Sequence, residues 1–565
     1  MKSRNALLGL SLLLAMPLAA QEKNYVSEVW VADQGNGKYK NPILYADYSD
    51  PDACRVGDDF YIATSTFDWF PGVQIHHSRD LVHWHLLTRP LTRVSQLNMK
   101  GNPDSCGVWA PNLTYKDGTF YLVYTDVKRF DGRWKDTHNY LVTATEIDGE
   151  WSDPIYLNSS GFDPSLFHDE DGRAWVPNLL VDHRKGKFFG GIVLQEYSYR
   201  EHRLIGEVYY IFPGTALGVT EGPVLFKRNG WYYLITAEGG TEYNHAVTLA
   251  RSRQITGPYE VHPTNPVLTS AHNPDLYLQK AGHGSVVSTP DGRWYLTHLA
   301  GRPLTTRGRC TLGRETCLQE VVWHEDDWLY LKSGGNEPQV QIEAPDLPVC
   351  RWEALPERCD FEDETMPIDF QSLRVPMDET WVSLRKRSGF LSIKGKESLC
   401  STHHQSMIAR RQQDFNFTAT TRLEFQPDTF QQMAGLAYYY NTRHFYYLFM
   451  SWEESLNSYV LNIFVNDDNR WSEPLPEYIR LEKGEVWLRA TVQREKLNFS
   501  YSIDGDTWQE IGGTLDASII SDDYVCNKFE YKAAFTGAFI GMCCQDVSGR
   551  GKWAYFDSFE YKPLL

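Results

Sequence analysis

Five segments of this chain repeat one pattern at intervals of roughly 50–60 residues. A chemically loaded residue opens each segment, and a turn with an aromatic strand follows about nine positions on. The segments are Asp50-Pro-Asp-Ala-Cys-Arg-Val, Trp109-Ala-Pro-Asn-Leu-Thr-Tyr, Asp163-Pro-Ser-Leu-Phe-His-Asp, Glu221-Gly-Pro-Val-Leu-Phe-Lys and His283-Gly-Ser-Val-Val-Ser-Thr. Turn glycines Gly118, Gly172, Gly230 and Gly292 lie 54, 58 and 62 residues apart, with Asp58 in the matching place of the first unit. A unit of this size, built of short strands, cannot bury a core by itself. Radial repetition of four-stranded blades solves that problem and hides the sheet edges. Five units therefore predict a five-bladed β-propeller. Equivalent positions of the blades return to the same place near the axis. Asp50, Trp109, Asp163, Glu221 and His283 are expected to face one pocket, although Asp and Pro are also ordinary turn starters.

At 565 residues the chain exceeds what one core serves. Residues 333–350 read as a Gly/Pro/polar linker. Beyond it, runs such as Phe417-Thr-Ala-Thr-Thr-Arg-Leu-Glu-Phe and Val486-Trp-Leu-Arg-Ala-Thr-Val alternate as half-buried strands do, which predicts a β-sandwich. Ser502-Ile-Asp-Gly-Asp-Thr-Trp508 is read as a hairpin turn with no catalytic part. No long amphipathic helix is expected. The fold class is all-β, with a propeller over 36–335 and a sandwich over 350–565.

A net charge of −18 argues against nucleic acid and anionic membrane surfaces as partners. Lys2 and Arg4 precede an apolar run from Ala6 to Ala20, with small residues before Gln21. This predicts a signal peptide over 1–20 and an exported protein, periplasmic or extracellular. The run is too short to span a bilayer. Ten cysteines make no disulfide framework, although Cys310 with Cys317 and Cys350 with Cys359 are close enough for local bridges. The run His76-His77 to His83-Trp84-His85 is read as alternation along a surface strand rather than as a metal site. Oligomeric state is not legible.

Three acids in an axial pocket suit glycosidic bond cleavage. One carboxyl gives a proton to the leaving oxygen while the other activates water or attacks the anomeric carbon. The donor needs a raised pKa, which a neighbouring carboxylate can supply by repulsion. Glu221, with the higher reference pKa, is the natural donor. Three dispersed acids suit Ca²⁺ less well, since its ligands usually cluster in one loop.

Longer motifs carry a resemblance. Asn41-Pro-Ile-Leu, Ser65-Thr-Phe-Asp-Trp-Phe-Pro-Gly, Gly107-Val-Trp-Ala-Pro, Gly161-Phe-Asp-Pro-Ser, Gly218-Val-Thr-Glu-Gly-Pro and Leu312-Gly-Arg-Glu-Thr resemble glycoside hydrolase family 43, in its β-xylosidase branch. The resemblance implies a propeller followed by a concanavalin-like jelly roll. It makes Asp50 the general base, Glu221 the general acid and Asp163 the carboxylate that tunes the acid and orients the substrate. Inversion implies a water between Asp50 and the sugar, with the carboxyl pair about 6.5–9.5 Å apart. Phe67 and Trp109 would wall the sugar site, with blade packing as the alternative. Arg314 would contact hydroxyls, or else pair with Glu315. His283 matches an axial histidine that in some relatives meets Ca²⁺ through water; a core histidine is the alternative. No cofactor is required, and Ca²⁺ enters only as a structural or activating ion with no direct ligand. A sandwich loop carrying Phe535 or Phe539 is expected to close one end of the pocket, unless both rings belong to the sandwich core.

The resulting expectation is an inverting hydrolase that releases terminal pentose from xylo-oligosaccharides or arabinoxylan fragments, an exo-1,4-β-xylosidase first. α-L-Arabinofuranosidase or dual activity is the alternative within that chemistry. A non-catalytic carbohydrate-binding propeller is the distant one, and predicts loss of the three acids.

Overall fold

In the computed structural model, which describes residues 30–529 and 534–564, five four-stranded antiparallel sheets succeed one another along the chain. Blade 1 is Asp52–Val56, Asp59–Thr64, Gln74–Ser78 and His85–Thr88. Blade 2 is Gly107–Lys116, Thr119–Arg129, Asp136–Ala144 and Ile155–Asn158. Blade 3 is Phe167–His168, Ala174–Val181, Phe189–Ser198 and Arg203–Phe212. Blade 4 is Glu221–Arg228, Trp231–Glu238, Ala246–Ser252 and Glu260–Val261, with Leu268–Thr269 added on its third strand. Blade 5 is Gln279–Ser288, Trp294–Gly301, Glu315–Trp323 and Leu329–Leu331. The predicted export segment 1–20 lies outside the described residues. No helix among the described residues is long and apolar enough to cross a membrane.

The turns differ by blade. Blades 2 and 4 use two-residue turns with both residues left-handed (Asp117 φ 48, Gly118 φ 83; Asn229 φ 50, Gly230 φ 72), a twist that matches antiparallel strands. Blade 1 places the left-handed residue first, at Gly57 (φ 62), so Asp58 can occupy the second place.

No blade lends a strand to its neighbour, so the ring closes by other means. Two residues beyond the loaded position, or three in blade 2, inward side chains reach the next blade. Asp52 Oδ2 accepts the Leu113 amide at 2.8 Å, Asn112 Oδ1 accepts the Leu166 amide at 2.8 Å, and Ser285 Oγ accepts the Ala53 amide at 2.7 Å. Ser165 Oγ donates to the Pro223 carbonyl at 2.6 Å. At the seam between blades 5 and 1, Asn41 exchanges two hydrogen bonds of 2.8 Å with the backbone of Leu318.

The sandwich is two large antiparallel sheets around an apolar core that includes Trp381, Leu436, Leu448, Leu488 and Phe556. Among the described residues it carries one α-helix, Asp522–Phe529. In the turn at Ser502, Asp504 Oδ1 accepts the Asp506 and Thr507 amides at 2.9 and 2.7 Å, a structural role. Part of the compositional linker is ordered: Gln341–Glu343 pairs with Lys38–Lys40. All ten cysteines are unpaired, so neither predicted local bridge forms. The histidine run is not on a surface strand either. Gln74–Ser78 is buried throughout, because the segment after the propeller returns over blade 1 and packs Trp352 at a tilt against His85 (4.1 Å) and His77 (4.8 Å). His77 also bonds to Asp59 at 2.8 Å.

The propeller and the sandwich share a sheet. The short strand Trp69–Phe70, between the second and third strands of blade 1, pairs with Gln371–Leu373 of the sandwich, and Trp69 stacks on Phe539 at 3.8 Å. Next to this pairing, Arg374 is fully buried. Its Nη2 meets Asp68 at 2.9 Å and Asp104 at 2.8 Å, Nη1 donates to Gln405 at 2.9 Å, and Nε donates to the Asn102 carbonyl at 2.7 Å. Removing one partner of such a buried network leaves uncompensated charge, at a cost of about 3–5 kcal/mol. Arg374→Met is therefore expected to lower stability by about that amount, with propeller and sandwich unfolding in one calorimetric transition. An unchanged Tm, or two separated transitions, would contradict the shared interface.

Candidate active site

The chain reaches the axis of each blade through a left-handed residue: Asp50 (φ 55), Ala110 (φ 33), Asp163 (φ 55), Gly222 (φ 58) and His283 (φ 46). Such backbone costs a non-glycine residue about 1–3 kcal/mol and persists where surroundings over-determine it. Proline follows in four of the five, at 51, 111, 164 and 223. The predicted common register is thus one residue off in two blades, since Trp109 and Glu221 precede the kink. Bulges between Trp109 and Asn112 and between Glu221 and Val224 absorb the offset. All five predicted side chains still line one cavity of about 580 Å³, with Phe67, Arg314 and Phe535. At the fourth kink only glycine fits, since a Cβ on Gly222 would stand 2.8 Å from His283 Cε1.

Asp50 is 6% exposed. Its Oδ1 meets Arg314 Nη1 at 3.2 Å and lies 3.8 Å from His283 Nδ1, and its Oδ2 accepts Ser65 Oγ at 2.6 Å. Burial alone would raise this carboxyl. The charges of Arg314 and His283 and the Ser65 bond outweigh it and hold Asp50 below its ordinary value. Arg314 does not pair with Glu315, which is held instead by Arg302 at 2.6 and 2.8 Å.

Glu221 and Asp163 lie in the opposite situation. Burial first, then the charge of Asp50, pushes Glu221 up to about 8, with Arg314 opposing. Burial, followed by repulsion from Glu221 and Asp50, raises Asp163 well above its ordinary value. Repulsion within the pair, expected as the main cause, ranks behind desolvation. The two titrate together, and near neutral pH the pair holds a proton. Gly222 N–H donates to Asp163 Oδ2 at 3.0 Å, which favours charge on Asp163 and the proton on Glu221.

The remaining wall is aromatic. Phe535, from the sandwich, lies 6.2 Å from Phe67, 5.3 Å from Trp109 and 5.8 Å from Phe130 between ring centroids. Its carbonyl accepts Arg314 Nη2 at 3.1 Å. Of the two candidate rings, Phe535 closes the pocket, and Phe539 is buried against Trp69. Trp109 is fixed by Nε1–H donating to the Ser105 carbonyl at 2.8 Å. His283 packs at the pocket floor. Ca²⁺ takes six to eight oxygen ligands, whereas His283 offers a ring nitrogen. Among the described residues no three His, Cys, Asp or Glu side chains group as ion ligands. The donor set does not fit a directly held cation.

Sequence reasoning missed Ser65, which bridges the Ala110 amide (2.8 Å) and Asp50, although it opens a quoted motif. It also missed Phe130, Phe162 and Phe188, which line the pocket from loops without any periodic signal.

Raised pKa values carry a stability consequence. Glu221 contributes fully below its unfolded value of 4.5, and that contribution is lost as pH rises through about 8. Glu221→Gln removes the loss. The Tm advantage of this variant over wild type is expected to widen between pH 5 and 8 and then level off in thermal melts. A difference independent of pH would show that Glu221 titrates normally.

Among known proteins, residues 39–329 match the family model described as glycosyl hydrolases family 43, and residues 358–562 match the β-xylosidase C-terminal concanavalin A-like domain. A β-xylosidase of Bacillus subtilis (strain 168) is 50% identical over 537 residues, covering 93% of this chain and 99% of that protein. Xylosidase/arabinosidase 43B of Humicola insolens is also 50% identical, over 93% and 98% of the two chains. The crystal structure of a xylan β-1,4-xylosidase from Bacillus halodurans C-125 superposes with a TM-score of 0.90 at 53% identity, covering 93% and 99%.

Proposed function

This chain belongs to glycosyl hydrolase family 43, and on that premise we propose that it is an inverting exo-β-xylosidase acting on the non-reducing end of xylo-oligosaccharides. The observation that carries the reading is the pair of opposed environments in one pocket. A buried Asp50 is kept ionised by Arg314, His283 and Ser65, while Glu221 is kept protonated by burial and the Asp50 charge.

In this mechanism Asp50 takes a proton from a water on one face of the terminal sugar. Glu221 gives its proton to the leaving oxygen on the other face. Asp163, hydrogen-bonded to Gly222, carries the charge of the pair and so keeps the proton on Glu221 until the leaving oxygen takes it. Arg314, tied to Asp50 and to the Phe535 carbonyl, presents its guanidinium to sugar hydroxyls. Phe67, Trp109 and Phe535 exclude water and cover the ring faces. The aromatic end wall supports removal of single terminal residues. Activity on α-L-arabinofuranosides is a second reading, supported by the relative whose name carries both sugars.

Purified enzyme is expected to hydrolyse 4-nitrophenyl β-D-xylopyranoside and xylobiose, with α-xylose as the first product by NMR. Glu221→Gln should lose about 10²–10⁴-fold on xylobiose, and less on the nitrophenyl glycoside, whose leaving group needs little protonation. Asp50→Asn should lose comparably on both. β-Xylose as first product would overturn inversion. Faster release of arabinose than xylose from paired nitrophenyl substrates would reverse the order of the two sugars. The export reading rests on segment 1–20 alone; a mature N-terminus at Gln21 in a secreting host would support it, and retention of Met1 would oppose it.

A further inference from the structure

Two loops at the mouth of the pocket have no part in the chemistry described above. Residues 130–135 join the second and third strands of blade 2, and 182–188 join those of blade 3. Arg133, Lys135, Arg184 and Lys187 line the cavity from these loops, and Glu242 from blade 4 lines it as an acid. Arg184 is neutralised locally, since Asp182 accepts its Nε and Nη2 at 2.7 and 2.6 Å and also lies 3.9 Å from Lys187. Asp131 lies 3.6 Å from Arg129.

Arg133 and Lys135 differ from these. Among the described residues neither has a carboxylate within ion-pair distance. Lys135 Nζ stands 4.3 Å above the Phe130 ring and 5.2 Å from that of Phe188, half-buried on the pocket wall. Between them Trp134 is 66% exposed and stacks on His183 at 4.4 Å and 29°, which fastens one loop to the other and leaves one indole face open. A chain with a net charge of −18 thus keeps two cations without carboxylate partners beside an aromatic platform, at the entrance of a pocket whose floor is acidic. A neutral pentose calls for neither cation.

We propose that the pocket mouth is a leaving-group site for a sugar acid, with Arg133 and Lys135 receiving the carboxylate of a uronic acid substituent and the open face of Trp134 supporting a ring. The proposal rests on the exo-xylosidase reading and names the substrate class of the same pocket: xylo-oligosaccharides that carry an acidic branch on the unit next to the terminal xylose. The cavity of about 580 Å³ extends beyond the acidic floor to these loops, so the branch has room outside the terminal sugar site. The two cations are specificity determinants and take no part in bond cleavage.

The test measures binding separately from turnover. On a Glu221→Gln background, calorimetry compares xylobiose with a glucuronosyl branch on its reducing-end unit against the same compound with the carboxyl reduced to an alcohol. The acidic compound should bind about fivefold more tightly at low salt, and the preference should fade at high salt. Arg133→Gln with Lys135→Gln on that background should equalise the two affinities and leave plain xylobiose unchanged. Equal affinities before the rim substitutions, or a preference that survives them, would overturn the acidic site. Turnover of plain xylobiose by the otherwise wild-type enzyme reports on the exo-xylosidase reading alone, so the two can fail independently.

Discussion

Closure of the propeller depends on how five inner strands start at the axis. Each blade is built from consecutive strands, so no shared strand locks the ring. The lock is the belt formed by Asp52, Asn112, Ser165 and Ser285, two residues beyond the left-handed kinks. Asp52 gives the belt its electrostatic character. Burial raises its carboxyl to about 7, with the Leu113 amide, Asn112 and Ser285 pulling the other way. Blade 4 carries Val224 at this position, which has no polar side chain to offer blade 5, and those two blades meet instead through apolar side chains that include Val247, Leu249, Leu296 and Val321. Because the belt sits directly under the kinks, it fixes where Asp50, Asp163 and His283 point. Fold closure and the geometry of the acids therefore have one cause.

The sandwich is part of the active site rather than an appendage. Phe67 is held on one side by two backbone hydrogen bonds of 3.0 Å with Val108. On the other it continues into Asp68 and the strand Trp69–Phe70, which belongs to a sandwich sheet. Phe535 arrives from the sandwich itself and is anchored through its carbonyl to Arg314, the same residue that charges Asp50. Next to it, buried Lys280 of blade 5 meets Asp523 at 2.6 Å and secures the short helix that precedes this segment. A propeller freed of the sandwich would lose its end wall and strand an arginine-satisfied acid pair in the interior.

Within the pocket, one protein environment holds carboxyls of different use apart. Desolvation acts on all three in the same direction. What separates them is where the cation stands: Arg314 lies against Asp50, whereas Glu221 meets the Asp50 charge and Asp163 meets the charges of Glu221 and Asp50. The arginine thus keeps the base charged, and the charged base helps keep the acid protonated.

Much of this was legible in the chain. The repeat period, the Asp-Gly and Asn-Gly turns and the alternating strands encode blades and sandwich locally, because strand pairing across a tight turn needs only neighbours. The loaded residues at each repeat identified the acids, since a rotating unit must return its first residue to the axis. The one-residue offset of Trp109 and Glu221 was not legible, because a bulge changes which residue bears the kink without changing the period. Nor were the buried histidines of blade 1, which Trp352 covers from beyond the propeller, or the pairing of Arg314 with Asp50 in place of Glu315. These depend on contacts between residues 264 or more positions apart, which no local pattern records. The sequence by itself determined the architecture and the chemical inventory. Only the tertiary structure decided which groups share a dielectric environment, and so which carboxyl is charged, which ring closes the pocket and which cations at its mouth have no carboxylate partner among the described residues.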